Sequence, residues 1–400
     1  MVKWLEKTLG EVTAFIAKGI PPKYTEEENE NTIRVLNQKC NRNFEISYNE
    51  SRIHDCEKKK VPVDKMLRAG DVLINSTGTG TAGRVAQMVE VTVPTTIDGH
   101  MILIRPSEEL DPIYYGYAVK SFQSQIEELA EGSTGQTEIN RRRLQDEVII
   151  RYPSDKLVQK NIGSFLANID EKIKTNKEIN KNLEQQAQAY FDELFVVNAD
   201  PNWSECTLSD IGSVVAGGTP SKSKPEYYAD QGIAWITPKD LSVNKSKFIS
   251  HGENDISELG FSKSSAAKMP AGTILFSSRA PIGYIAIAQN EVTTNQGFKS
   301  VIPNENIGTA YLYFLLKNLL PTIEGMASGS TFKEISGSAM KSVPTVMPDA
   351  DTIQLFSSFC EPVFKEQEIL EAENQRLSAL RDSLLPKLMS GELDVSDIDF

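Results

Sequence analysis

"LANIDEKIKTNKEINKNLEQQAQAYFDELF", residues 166–195, decides how the rest of the chain is read. From Ile162 the inward-facing candidates run Ile162, Leu166, Ile169, Ile173, Asn176, Asn180, Leu183, Ala187, Tyr190 and Leu194. The steps alternate between four and three, which is a heptad seam. Adding 194 to each position gives Phe356, Cys360, Val363, Gln367, Leu370, Asn374, Leu377, Arg381, Leu384 and Leu388, a second seam of the same period. Two long helices are predicted. A half-polar seam packs weakly alone, so the helices are expected to pair, and antiparallel pairing is the easiest arrangement within one chain. The expected seam is Ile169, Ile173, Asn180 and Leu183 with Val363, Leu370, Asn374 and Leu377. Asn180 and Asn374 occupy equivalent positions, where a buried Asn trades stability for register. From 162 to 194 the helix extends roughly 48 Å at 1.5 Å per residue, a rigid spacer. The competing arrangement lays each helix on its own domain, as amphipathic helices routinely do.

Working outward, the chain is written twice. "WLEKTLGEV" at 4–12 matches "WSECTLSDI" at 203–211, and "AKGIP" at 17–21 matches "AGGTP" at 216–220, both at an offset of 199. Ala69-Gly70 aligns with Ala271-Gly272, "TTIDGH" at 95–100 with "TTNQGF" at 293–298, and "GST" at 132–134 with "GST" at 329–331. Glu138-Ile139 then aligns with Glu334-Ile335 and Pro153 with Pro348. Many matches in one order make a tandem duplication. Before its helix each copy holds short β-branched runs, such as "DVLIN" and "GTILFSS", and one helical stretch, so each is a mixed domain by pattern. The predicted class is α+β: two mixed α/β domains related by pseudo-two-fold symmetry, separated by an antiparallel helical coiled coil. The boundaries read as a first domain over 1–154, a helix over 155–198, a second domain over 199–349, a helix over 350–392 and a tail over 393–400.

"NSTGTGTAGRV" at 75–85 carries Gly78, Gly80 and Gly83 in the spacing G-x-G-x-x-G after a strand-like "GDVLI". A dinucleotide site needs a helix opening on the last glycine, to hold the pyrophosphate. The next segment of the chain, "RVAQMVEVTVP", alternates like another strand, so the context for a cofactor fails. The facing segment "SSRAPIGYIAIAQ" at 277–289 keeps only Gly283, opposite Gly83. A loop held in place while its side chains vary suits a recognition surface; a plain hairpin turn is the simpler alternative.

Composition bounds the rest. Four hundred residues, 40% apolar, can bury a substantial core. No basic-then-apolar leader opens the chain and no apolar run approaches ~20 residues, so a cytoplasmic protein away from membranes is expected. Four scattered cysteines and three histidines offer neither a disulfide framework nor zinc spacing. The net charge of −13 argues against bulk coating of nucleic acid, although "KKK" at 58–60 and "RRR" at 141–143 are local basic runs.

Three stretches carry a resemblance across essentially the whole chain: "LSDIGSVVAGGTPSKSKPEYYADQGIAWITPKDL" at 208–241, "LRDSLLPKLMSGEL" at 380–393, and the helix at 166–195. With the duplicated layout, they resemble the specificity subunit of type I restriction-modification systems. That resemblance implies two target recognition domains, each reading one half of a bipartite, asymmetric DNA site. It implies helices that set the unread spacer and dock two methyltransferase subunits, with restriction (translocase) subunits joining. It implies no cofactor on this chain, with S-adenosylmethionine, ATP and Mg on the partners. The first copy departs from the pattern, with "GIPPKYTEEENENTIRVL" at 19–36 where the second has "GTPSKSKPEYYADQGIAWI".

Base edges are read by Arg, Lys, Asn, Gln, Ser and Thr. In the first copy the expected contacts are Ser76, Thr77, Thr79, Arg84, Asp98, His100, Gln136, Thr137, Arg141, Arg142 and Arg143. In the second they are Lys222, Lys224, Trp235, Thr237, Lys239, Ser278, Arg279, Tyr284, Asn295, Gln296, Phe298, Thr331, Phe332 and Lys333. No G-x-x-x-x-G-K-[ST] loop, G-x-S-x-G or amino-methyltransferase tetrapeptide is present, so a non-catalytic subunit is expected. The rival classes are a coiled-coil scaffold that recognises protein and a stand-alone DNA-binding regulator.

Overall fold

The computed structural model describes residues 3–132, 137–329 and 333–393. It divides into two compact units: Met1–Ile173 with Arg376–Phe400, and Lys174–Gln375. Each unit therefore takes in part of both long helices, Lys156–Asp192 and Ala350–Ser390.

Unit 1 contains β1 (Trp4–Thr8), β2 (Thr13–Lys18), β3 (Tyr24–Thr25), β4 (Thr32–Leu36), β5 (Asn41–Arg42), β6 (Glu45–Ile46), β7 (Arg52–Asp55), β8 (Val72–Asn75), β9 (Val85–Gln87), β10 (Thr95–Ile97), β11 (Met101–Pro106), β12 (Ala130–Glu131), β13 (Glu138–Ile139) and β14 (Ile149–Pro153). One sheet runs β2-β11-β8-β9 and a second runs β10-β4-β7-β3, with β1 paired to β14. Only β10 and β4 pair in parallel within these sheets. The first sheet packs under the helix Pro112–Ser121, whose Tyr114, Tyr115 and Val119 are fully buried with Val72, Ile74, Ile102 and Ile104.

Unit 2 contains β15 (Ser204–Thr207), β16 (Gly212–Ala216), β17 (Tyr228–Ala229), β18 (Ile233–Ile236), β19 (Phe248–Ile249), β20 (Asn254–Ile256), β21 (Ile274–Ser278), β22 (Ile282–Ala288), β23 (Thr293–Thr294), β24 (Lys299–Pro303) and β25 (Pro344–Met347). Its sheets run β16-β24-β21-β22-β19 and β23-β18-β20-β17, with β15 paired to β25. Strand for strand this is the order of unit 1, plus β19 at one edge. The parallel pair recurs as β18 with β23.

The helical seam is legible within each unit. In unit 1, Ile162 and Leu166 share the core with Leu385, Leu388 and Met389, and Arg381 donates to Asp170 at 2.5 Å. In unit 2, Asn176 meets Asn374 (3.0 Å), Gln367 donates to the Asn180 carbonyl (3.0 Å), and Ala187 and Phe191 join Phe356 and Cys360. Partner numbers fall on one helix as they rise on the other, so the pairing is antiparallel in both units. Ile169, Ile173 and Leu370 are buried, and Leu183, Val363 and Leu377 are half-buried. Asn374 is met by Asn176, which is fully buried, and not by its repeat equivalent Asn180. Antiparallel helices bring together positions whose numbers have a near-constant sum, so Asn374 faces Asn176 and not the equivalent Asn180.

The C-terminal motif acquires a physical role. Its Leu385, Leu388 and Met389 fill the core of unit 1, and Gly391, in the left-handed region (φ +75), ends the helix against Trp4. A Cβ there would lie 2.6 Å from the indole, so only glycine allows so close an approach.

Candidate nucleic-acid interface

The glycine loop joins β8 to β9, and the strand after Gly83 confirms that no helix opens there. Gly78, Gly80 and Gly83 all have positive φ. At Gly83 a Cβ would sit 2.6 Å from the Glu127 Cα, so this glycine is fixed by packing against a helix rather than by a ligand. Gly283 takes the same conformation (φ +95) against the side chain of Leu320.

Hydrogen bonds shift the repeat alignment at "TTIDGH" by one residue. His100 N donates to the Asp98 carboxylate (2.9 Å) as Gly297 N donates to Asn295 Oδ1 (2.8 Å). Ser76 N donates to the His100 carbonyl, as Ser278 N does to Gly297, both at 2.8 Å. Thus Asp98 corresponds to Asn295, Gly99 to Gln296 and Met101 to Phe298. Met101 and Phe298 are both fully buried. Phe298 is therefore a core residue, and its expected role as a contact is corrected.

Other expected contacts are also committed to the fold. Trp235 is 5% exposed and its indole donates to the Gly218 carbonyl (2.9 Å). Ser76 and Ser278 are fully buried, the latter donating to the Gly297 carbonyl (3.1 Å). Asp98 is buried, and burial raises its carboxyl above the usual range. Thr237 caps the helix Pro238–Val243 through Asp240. A side chain that is buried, or whose polar atoms are bonded inside the domain, presents none to a base edge.

The accessible set is smaller. In unit 1, Thr79, His100, Arg141 and Arg142 are exposed, while Thr77, Arg84, Thr137 and Arg143 are half-buried. Thr77 bonds His100 Nδ1 (2.9 Å), and Arg84 turns back onto the Gly80 carbonyl (2.9 Å). Arg143 is held by Glu131 and Glu147. In unit 2, Lys222, Lys224, Lys239, Gln296 and Lys333 are exposed, and Arg279, Tyr284 and Asn295 half-buried. Lys239 pairs with Glu253 (2.6 Å) and Arg279 with Glu334 (3.3 Å). Gln136, Thr331 and Phe332 lie outside the described residues, as does the tail beyond Leu393.

The sequence missed a groove of about 750 Å3 in unit 1, lined in part by Tyr24, Asn37, Gln38, Arg52, Asp98 and His100. Its residues come from segments with no regular spacing, and most of them, Tyr24, Gln38 and Arg52 included, lay outside the matched motifs. Among the described residues no cluster of His, Cys, Asp or Glu could hold a metal ion, and no helix is long and apolar enough to cross a membrane.

Comparison with known proteins places this architecture. The family described as "Type I restriction modification DNA specificity domain" matches residues 1–185 and again 201–379, one match per repeat. The specificity subunit of the type I restriction enzyme MjaIX of Methanocaldococcus jannaschii is 40% identical over 190 residues, covering 45% of this chain and 44% of that protein. The specificity subunit of the HindI enzyme of Haemophilus influenzae is 30% identical over 194 residues, 48% and 42% of the two chains. These matches span less than half the length of either relative. In fold, the chain resembles the type I restriction-modification S subunit from M. genitalium, with a TM-score of 0.62 at 19% identity over 97% of this chain and 96% of that one.

Proposed function

Because this chain belongs to the family of type I restriction-modification DNA specificity proteins, we propose that it selects the DNA sequence for such a complex, each unit reading one half of a bipartite, asymmetric site. The observation that carries this reading is one strand order built twice with unlike loops. A common frame supplies two similar docking faces on DNA; unlike side chains supply two different half-sites. The long helices set the unread spacer and hold two methyltransferase subunits, with restriction subunits joining. S-adenosylmethionine, ATP and Mg belong on those partners, and no catalytic step falls to this chain.

Two features support the division of labour. The helices expose Leu355 (54%), Ile369 (50%) and Leu380 (46%), apolar surface of the kind that partner chains cover. The net charge of −13 suits a subunit that reads bases while its partners grip phosphate. The test is duplex binding by the chain alone and with co-expressed methyltransferase subunits, over a salt series. Weak, steeply salt-dependent binding alone and tight binding to a two-part sequence in the complex are expected. Equally tight binding alone would make it a self-contained regulator; no sequence preference in the complex would make it a scaffold.

A further inference from the structure

The groove in unit 1 holds a guanidinium with no salt bridge among the described residues, although Asp98 lines the same groove. Arg52, on β7, lies with its Cζ 3.5 Å from the centroid of the Tyr24 ring, and both side chains are exposed. Among the described residues Arg52 makes no ion pair. Around it the groove offers Gln38, whose side chain accepts from Thr77 of the glycine loop (3.4 Å), and His100, bonded to the same threonine. The groove thus opens beside the loop that the sequence marked for recognition.

Unit 2 builds the same sheet without this device. Arg52 pairs across the ladder with Val35, and its counterpart Asn254 pairs with Trp235; Tyr24 faces His54 as Tyr228 faces Ile256. Tyr228, however, donates its hydroxyl to the Pro220 carbonyl (2.9 Å) and sets its ring edge-on to Trp235 (5.8 Å between centroids). There the tyrosine is spent on packing, and the position of Arg52 carries an amide. The Arg–Tyr pair is particular to one reading head.

We propose that Arg52, held over the Tyr24 ring, reads a guanine in the half-site of the N-terminal unit, donating two hydrogen bonds to O6 and N7. A planar fork already held over an aromatic face loses little freedom on binding, and a bidentate contact to guanine is the commonest specific contact in the major groove. The inference rests on the proposed function, which supplies the duplex.

The experiment uses the full complex, with Arg52→Ala and Arg52→Gln variants of this chain, and sequences the methylated motif across the host genome. The expected result is a loss of guanine discrimination at one position of one half-site, on the order of 10-fold or more, with the other half-site unchanged. Tyr24→Ala relaxes the same position less. A uniform loss of methylation at an unaltered motif would make Arg52 a phosphate contact, and an unaltered motif at full methylation would remove it from the interface; either overturns the inference. Absence of any two-part motif with the unsubstituted chain refutes the proposed function itself, before a variant is made.

Discussion

Units 1 and 2 share a strand order but hold it with different charges. Glu138, on β13, pairs with Lys18 on β2. Its counterpart Glu334 pairs with Arg279 and with Lys299 on β24 (3.6 Å). Lys18 faces Ile102 across its ladder, and Ala216 faces Lys299 across the equivalent one. The cation has changed strands while the carboxylate has stayed. Duplicated domains preserve where a charge is needed more strictly than which residue supplies it.

The contrast sharpens at Lys120 and Lys317, equivalent lysines on equivalent helices. Lys317 donates to Glu184 at 2.5 Å, and the same carboxylate holds the buried Lys247. Burial raises the Glu184 carboxyl, but the two ammonium groups outweigh it and hold it below the usual carboxylate range. The Lys120 ammonium is buried without a hydrogen-bond partner among the described residues, over the rings of Phe44 (4.2 Å) and Tyr117 (5.8 Å). Burial, reinforced by Arg381, pushes its ammonium down to about 8.

The largest expected effect breaks the better-paired side. Glu184→Gln leaves two cations without their carboxylate in unit 2 and costs about 3–5 kcal/mol, read as a fall in the denaturation midpoint. Next, Gly83→Ala should cost about 3 kcal/mol, and Gly283→Ala about 1–2 kcal/mol. Both have positive φ, but Gly83 meets the Glu127 backbone whereas Gly283 meets the movable end of Leu320. Equal costs would deny that difference in packing.

Lys120→Met should stabilise by up to about 3 kcal/mol, since each unit of pKa depression is worth about 1.4 kcal/mol. The sign comes from proton counting. Between about 8 and 10.5 the unfolded lysine binds more protons than the folded one, so wild-type stability rises with pH across that window. The penalty is fully present below about 8, and the rise should be weaker in the variant. Arg142→Ala is the smallest: with 91% of its side chain exposed, its loss should move stability by less than about 0.5 kcal/mol. If it touches phosphate, the salt slope of DNA binding by the complex should fall by about 1.

The heptad steps and the tandem repeat made most of the architecture legible, because long periodic signals survive divergence. Local matches were less secure. "TTIDGH" and "TTNQGF" look aligned at their glycines, yet the backbone aligns the Asx turns of Asp98 and Asn295, one residue away. That slip presented Phe298 as a surface residue. Trp235 has the composition of a contact and the burial of a core residue, and sequence alone cannot separate the two. The Arg52–Tyr24 pair lay in the stretch where the copies diverge most, and only the β3–β7 register brings it together.

The central claim is that two unlike reading heads on one frame select one two-part DNA sequence. Methylome sequencing of a host carrying the intact system, with and without this chain, tests it most directly. The expected result is a motif of two unequal halves around an unread spacer, lost when the chain is removed. A single contiguous motif, two identical halves, or a motif that persists without the chain would contradict it.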